Sequence, residues 1–416
     1  MQQQTTIFQP EWLVDGLSGD VRKQALVLVR DGVVEDISES KQYDKFGDRK
    51  VVRFKNCGFL PGFVDSHVHI SYSGSIDQRV RKAQLSASDD ELHTTITEHL
   101  RQNFTHGILG LRDAGDQFDG YSIYKRGKMR QESIPVNVES AGMGFFRKGF
   151  YGAFLGHPHD PATFSTRVEK MSGEKRFVKI VNSGMNSLQH YDAYQRTIFG
   201  TEELTIMINK VATLGMQVMV HANGPEAVRA AVEAGCASIE HGYFMGRDNL
   251  KRMADNGTYW VPTIYAMKAC LENFEFLGQG AAKREVIKKN VEDQMAQLAL
   301  ARELGVKVAV GTDSGSFGVL HGESFVEELN LFKKAGFSLA ELVRCGSGVG
   351  AQLCGFDTFG TIEVGKPATF LVVRGVPSQM PRKMGYLEHI YLDGKPSVHY
   401  LKHYRQIDHL RSLNRS

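Results

Sequence analysis

The chain has 416 residues, 42% of them hydrophobic and 23% charged, an ordinary balance for a folded globular protein. That length holds one elaborated domain, or a large domain with a smaller companion. Its 50 basic and 47 acidic residues leave a formal charge of +3 with no dominant basic block, so composition gives no reason to expect nucleic acid or an anionic membrane as partner.

Cys57, Cys236, Cys270, Cys345 and Cys354 are scattered, odd in number and free of any Cys-x-x-Cys, a pattern of free thiols in a reducing compartment. The first residues lack a basic stretch followed by a long apolar run, and no window reaches the roughly 18 apolar residues of a membrane span. The expectation is a soluble, cytoplasmic chain. Lys402, Arg405, Arg411 and Arg415 read as a solvated tail.

In chain order, residues 7–8, 25–29, 33–37 and 50–54 are rich in β-formers, with Asp31-Gly32 as a hairpin turn. From residue 58 the pattern becomes strand, loop, helix, repeated. Eight apolar strands are predicted at 58–66, 107–112, 134–140, 176–182, 216–221, 237–241, 258–264 and 306–312. Ser88-Asp89-Asp90-Glu91 is a capping box for a helix running toward Asn103. Further helices end at Gly215, Gly235, Gly257 and Gly305, each immediately before a strand. Eight such units predict a (β/α)8 barrel over 58–359. Helices at about 323–335 and 338–354 are followed by strands at 369–373 and 388–392, which predict a composite β-sandwich domain from 1–57 and 360–416. The Gly- and Phe-rich segment 143–165 reads as a cover over the active site.

The chemistry of such a barrel sits at the C-terminal ends of its strands. There the sequence places His67 and His69 after strand one, Lys179 within strand four, His221 after five, His241 after six and Asp313 after eight. Residues i and i+2 of an extended chain point the same way, so His67 and His69 present both imidazoles to one point. Paired imidazoles suit Zn, Mn, Fe, Co or Ni better than Ca or Mg. Lys179 has apolar neighbours, and burial lowers a lysine pKa until the neutral amine can take up carbon dioxide as a carbamate.

His67-x-His69, Lys179, His221, His241 and Asp313 together resemble the amidohydrolase superfamily. The phrases 60–69, 221–228, 238–242, 261–263, 311–315 and 360–366 resemble its prolidase-like, imidazolonepropionase-related branch, over roughly residues 6 to 395. The resemblance implies two divalent metal ions, usually zinc, with manganese, cobalt or iron as substitutes. It puts one on His67, His69 and Asp313 and the other on His221 and His241. A carboxylated Lys179 would bridge them, and Asp313 would shuttle the proton to the leaving amine. The activity implied is hydrolysis of an amide in a dipeptide or N-acyl amino acid. Alternatives on the same site are a cyclic amide, carbamate, thiocarbamate or phosphotriester, a mononuclear deaminase, or a scaffold without metal. The chain has no Gly-x-Ser-x-Gly, which argues against a serine hydrolase. The partners expected are a small-molecule substrate and further copies of the chain in a homo-oligomer.

Dipeptide-cleaving relatives often carry Gly-Gly-His after strand three, whereas residues 142–151 here hold no histidine. Arg147, Lys148 or Tyr151 are candidate substitutes, or candidate anchors for a substrate carboxylate. Tyr243, Tyr265 and His321, just past strands six, seven and eight, are further candidates for the substrate pocket. Arg112-Asp113 reads as an ion pair at the rim, and His93, His99 and His106 as outer-wall surface residues.

Overall fold

The computed structural model describes residues 5–39, 50–127, 134–278 and 280–400. The N-terminal strands are β1 (Thr5–Leu13), β2 (Arg22–Lys23), β3 (Ala25–Arg30), β4 (Val33–Glu39) and β5 (Lys50–Leu60). Asp31 and Gly32, which turn β3 into β4, both have positive φ (49° and 86°), as a tight hairpin of this hand requires.

The central part runs β6 (Phe63–Val68), α1 (Gln78–Gln84), α2 (Asp89–Thr105), β7 (Ile108–Asp113), α3 (Gly120–Arg126) and β8 (Asn137–Ser140). β9 (Gly144–Phe146), β10 (Gly156–Pro158), α4 (Pro161–Met171), β11 (Phe177–Val181), α5 (Thr201–Ala212) and β12 (Gln217–Ala222) follow. Then come α6 (Pro225–Glu233), β13 (Ser238–His241), α7 (Gly246–Asn256), β14 (Tyr259–Val261), α8 (Ile264–Glu272) and α9 (Arg284–Glu303). The chain closes with α10 (Glu323–Lys334), α11 (Leu339–Gly346), α12 (Gly348–Cys354), β15 (Phe370–Arg374), β16 (Leu387–Leu392) and β17 (Lys395–Pro396). Ser88 caps α2 through the capping box read from the sequence.

This is a mixed α/β fold. Strands from both ends of the chain share one eight-stranded sheet in the order β17-β16-β15-β5-β1-β3-β4, with β2 on β1. On one face, Phe59 stacks on Phe370 at 4.2 Å and Phe370 on Tyr391 at 4.8 Å. From the other, Leu60, Leu371, Val373 and Ile390 join the main core. Strands from the two terminal segments thus share hydrogen bonds in one sheet, and the tail cations from Lys402 onward lie outside the described residues.

The parallel strands form the runs β6-β7-β8 and β10-β9-β11-β12-β13-β14. Residues 306–314 are not a continuous strand, but their backbone ties the two runs together. Trp260 N donates to Lys307 O and Ala309 N to Trp260 O at 2.9 Å, while Ser66 N donates to Val310 O at 2.9 Å and Asp313 N to His67 O at 2.8 Å. The predicted strand 58–66 breaks at Pro61-Gly62. Residues up to Leu60 belong to the terminal sheet, because a proline has no N–H for the ladder. Segment 143–165 is built around β9, a short 3-10 turn at Ala153–Leu155, β10 and the start of α4. Among the described residues no helix is long and apolar enough to cross a membrane, and all five cysteines are free.

Candidate metal centre

β6 and the residue that follows it carry the first two candidate ligands. His67 is fully buried and His69 nearly so. Asp313 joins them from the end of the 306–314 segment, and the three ligand atoms lie within 4.8 Å of one another. Asp313 Oδ1 is 3.5 Å from His67 Nε2 and 3.4 Å from His69 Nε2. His67 Nε2 is buried without a hydrogen-bond partner, an orphan that a metal would satisfy.

Each imidazole is aimed by its other nitrogen. His67 Nδ1 lies 2.6 Å from Glu240 Oε2, and His69 Nδ1 donates to the Gly115 carbonyl at 2.7 Å. His241 Nδ1 lies 2.6 Å from Thr263 Oγ1. This is the arrangement by which proteins fix the tautomer of metal-binding histidines. The rings form a chain, with His69 to His67 at 5.6 Å, His67 to His241 at 5.0 Å and His241 to His221 at 4.5 Å between centroids. His221 donates from Nε2 to the Gly184 carbonyl at 3.2 Å, which leaves the lone pair of Nδ1 free to act as a ligand.

The backbone is strained where it hands over these side chains. His241, Thr263 and Asp313, at the ends of successive strands, have φ of 67°, 47° and 61°. Non-glycine residues visit this region at a cost, and it concentrates at functional sites.

Electrostatics keep His67, His221 and Asp313 in forms able to bind a cation, whereas at His69 burial is outweighed by the Asp313 carboxylate and the Gly115 carbonyl, which raise it above its ordinary value. Burial, aided by Lys179, lowers His67 to about 4 and His221 to about 3, so both are neutral at physiological pH. Burial would raise the Asp313 carboxyl, but the hydrogen bond from His69 and the neighbouring imidazoles hold it well below the usual range. Lys179 is 2% exposed, and burial lowers its ammonium to about 8. Among the described residues it forms no ion pair, so a lysine tied to an acidic neighbour is not what the structure shows. Gly144 makes room for it, since a Cβ there would sit 3.2 Å from Lys179 Cβ.

One buried residue, Glu240, escaped the sequence reading, and another, Arg112, is placed differently from its expected rim pair. Glu240 bonds His67 with one oxygen and pairs with Arg112 Nη1 at 3.2 Å with the other. Arg112 also donates to Ser238 Oγ at 2.9 Å and lies over the Phe177 ring. Arg112-Asp113 is therefore not a rim ion pair, because neighbouring residues on a strand face opposite ways. Asp113 instead accepts from Ser140 Oγ and Ile70 N. The available signal was a glutamate in mid-strand, beside an imidazole, in a run otherwise fit for burial.

The candidate substrate residues separate. The Tyr151 ring lies tilted 5.3 Å from the His221 ring, and Phe154 lies 5.8 Å from His69, so segment 143–165 does border the candidate ligands. Arg147 is paired with Glu203 at 2.5 Å and lies over Phe199, and Lys148 is exposed. Tyr243 is buried with no partner for its hydroxyl, and Tyr265 Oη bonds Glu272 at 3.1 Å. His321 is buried behind the ligands, stacked on His99 at 3.9 Å and 2.9 Å from the Tyr72 carbonyl. His99 and His93 are buried rather than at the surface, since α2 packs against β7 and α3, His99 reaching the Ile70 carbonyl and His93 the Tyr124 ring, and His106 is partly buried.

Comparison with known proteins places the chain. The profile of the Amidohydrolase family matches residues 59–410. An uncharacterized protein of Mycobacterium tuberculosis is 27% identical over 293 residues, covering 68% of this chain and 70% of its own. The imidazolonepropionase of Clostridium tetani is 23% identical over 396 residues, 85% of each chain. The crystal structure of a Xaa-Pro dipeptidase with methionine in its active site shares the fold, with a TM-score of 0.74 at 23% identity, over 94% of this chain and 99% of that one.

Proposed function

This chain belongs to the amidohydrolase family, and we propose that it is a metal-dependent hydrolase cleaving an amide C–N bond in a dipeptide or N-acyl amino acid. The observation that carries the reading is the convergence of His67, His69 and Asp313 on a point where a buried imidazole nitrogen has no hydrogen-bond partner among the described residues. His67, His69 and Asp313 would hold one divalent cation, zinc first among them, and His221 and His241 a second, with Lys179 between. When bound, such cations supply a water acidified toward neutral pH and a Lewis acid for the scissile carbonyl.

The protein's own residues do the rest. The deprotonated fraction of Lys179, enlarged by burial, adds to carbon dioxide, giving a carbamate and releasing a proton. Glu240, the Gly115 carbonyl and Thr263 hold three imidazoles in one orientation. Asp313, kept ionised and steadied by Ser316 Oγ at 2.8 Å, accepts a proton on its carboxylate and returns it to the departing amine. Tyr151 and Phe154 restrict water at the mouth. The bonds through residues 307–313 support closure of the parallel strands into an eightfold barrel, whose C-terminal rim carries every ligand.

A cyclic amide is the second reading, supported by the similarity to imidazolonepropionase along 85% of the chain. The deciding experiment combines metal analysis with amine release from a panel of N-acyl amino acids, dipeptides and cyclic amides. About two equivalents of metal with turnover lost in Lys179→Ala supports the proposal, and full activity in that variant refutes the bridging role.

A further inference from the structure

Most cations around the metal ligands have carboxylate partners. Arg112 has Glu240, Arg147 has Glu203, Lys175 has Asp119, and Lys268 has Glu272 and Glu327. Arg81 differs. It sits on α1, just after the loop that leaves β6, and is partly buried. Among the described residues no carboxylate lies within ion-pair distance of it. Its Nη1 donates to the Ser75 carbonyl at 3.4 Å and the Gly315 carbonyl at 3.3 Å, both long. Nε and Nη2 make no hydrogen bond among the described residues, so most of a fork of five donors is uncommitted.

The position of this fork is fixed by the site itself. Gly315 lies two residues beyond Asp313 and has φ of +100°, and a Cβ there would come within 2.6 Å of the His69 carbonyl and 2.9 Å of the Tyr72 carbonyl. The carbonyl that anchors Arg81 is thus packed onto the backbone of a metal ligand. Asp313 and Tyr151 are among the groups whose fields reach the guanidinium, and the Tyr151 ring in turn lies tilted 5.3 Å from that of His221. Arg81 therefore stands on the Asp313 side of the candidate cage, held to the backbone that follows it. A half-buried guanidinium with free donors costs desolvation unless something pairs with it, and its planar fork matches a carboxylate.

We propose that Arg81 binds the free α-carboxylate of the substrate's amine-side amino acid, making the preferred substrates N-acyl amino acids or dipeptides with an unblocked C-terminus. The assignment rests on the reading of the site as an amide hydrolase, and it replaces Arg147, whose charge is taken by Glu203.

The test uses zinc-loaded protein and two readouts. Isothermal titration with free L-amino acids and with the corresponding L-amino acid amides measures carboxylate recognition without turnover. Amine release from N-acetyl amino acids and from their C-terminal amides measures it during turnover. Wild type is expected to favour the acids by about 10–100-fold, as one charged hydrogen-bonded pair provides. Arg81→Met should erase that preference through KM while metal content stays unchanged, and Arg81→Lys should keep part of it. Arg81→Gln serves in its place if Arg81→Met does not fold. Equal treatment of acids and amides by wild type, no binding of any acid at millimolar concentration, or a preference that survives in Arg81→Met would each overturn the proposal. Arg81-dependent binding of acids without hydrolysis of any N-acetyl amino acid would instead sink the hydrolase reading and leave the role of Arg81 standing.

Discussion

Glu240→Gln tests whether the orientation of the first imidazole depends on a charge hidden beneath it. Glu240 and Arg112 are both essentially inaccessible, and the carboxylate serves three groups at once: His67 Nδ1, Arg112 Nη1 and Ser238 Oγ. Removing its charge leaves the guanidinium buried without a counter-ion, which costs about 3–5 kcal/mol. It also frees the His67 ring to take the other tautomer, and loss of such an orienting partner weakens metal binding by about 10–100-fold. Urea unfolding of the metal-free chain reads the first effect, and zinc competition against a chromophoric chelator reads the second. The double variant Glu240→Leu/Arg112→Met removes both charges and should lose less stability than Glu240→Gln alone. If Glu240→Gln stays within about 1 kcal/mol of wild type and binds zinc as tightly, the argument from the buried pair is wrong.

Three further outcomes are expected. Gly58→Ala places a Cβ 2.0 Å from the Trp12 ring, so chemical unfolding should show a loss of about 2–3 kcal/mol. Burial pushes the Glu328 carboxyl up to about 8 from an ordinary 4.5, so the folded chain holds a proton that the unfolded chain releases. Stability of the metal-free protein should therefore decline as pH rises from about 4.5 to about 8, and thermal melts of Glu328→Gln should lack that part of the slope. His321→Phe removes the partner of the Tyr72 carbonyl and should cost about 1–3 kcal/mol in the metal-free protein, with an unchanged midpoint in urea as the refuting result.

The candidate ligands stand out in the sequence because each ends or interrupts an apolar run, where a polar side chain is conspicuous in one dimension, and the structure gathers His67, His69 and Asp313 within 4.8 Å of one another. His67, His69, Lys179, His221, His241 and Asp313 all have that signature. Glu240 and Arg112 share it, yet their pairing joins residues 128 apart, and periodicity carries no information about which strands face each other. Arg81 lies in a short amphipathic helix whose charges look like any solvated surface. His99 was misread for a related reason: a helix with polar residues on both sides reads as exposed, while here two imidazoles stack and donate to the backbone carbonyls that follow His69. The break at Pro61-Gly62 merged two strands into one because both halves are equally apolar.

The sharing of one sheet by the two ends of the chain bears on biosynthesis. β5 leaves the ribosome long before β15, its neighbour in the ladder, and at ordinary elongation rates the delay is roughly 15–60 s. Through that interval the edge of β5 lacks its later neighbour, and unpaired edges invite pairing with other nascent chains. Because β5 runs into β6, the anchorage of His67 and His69 is completed only once the last strands have emerged. Cation capture is then expected to follow the end of translation, and polypeptides released early should be cleared or aggregate rather than persist as half-formed enzymes.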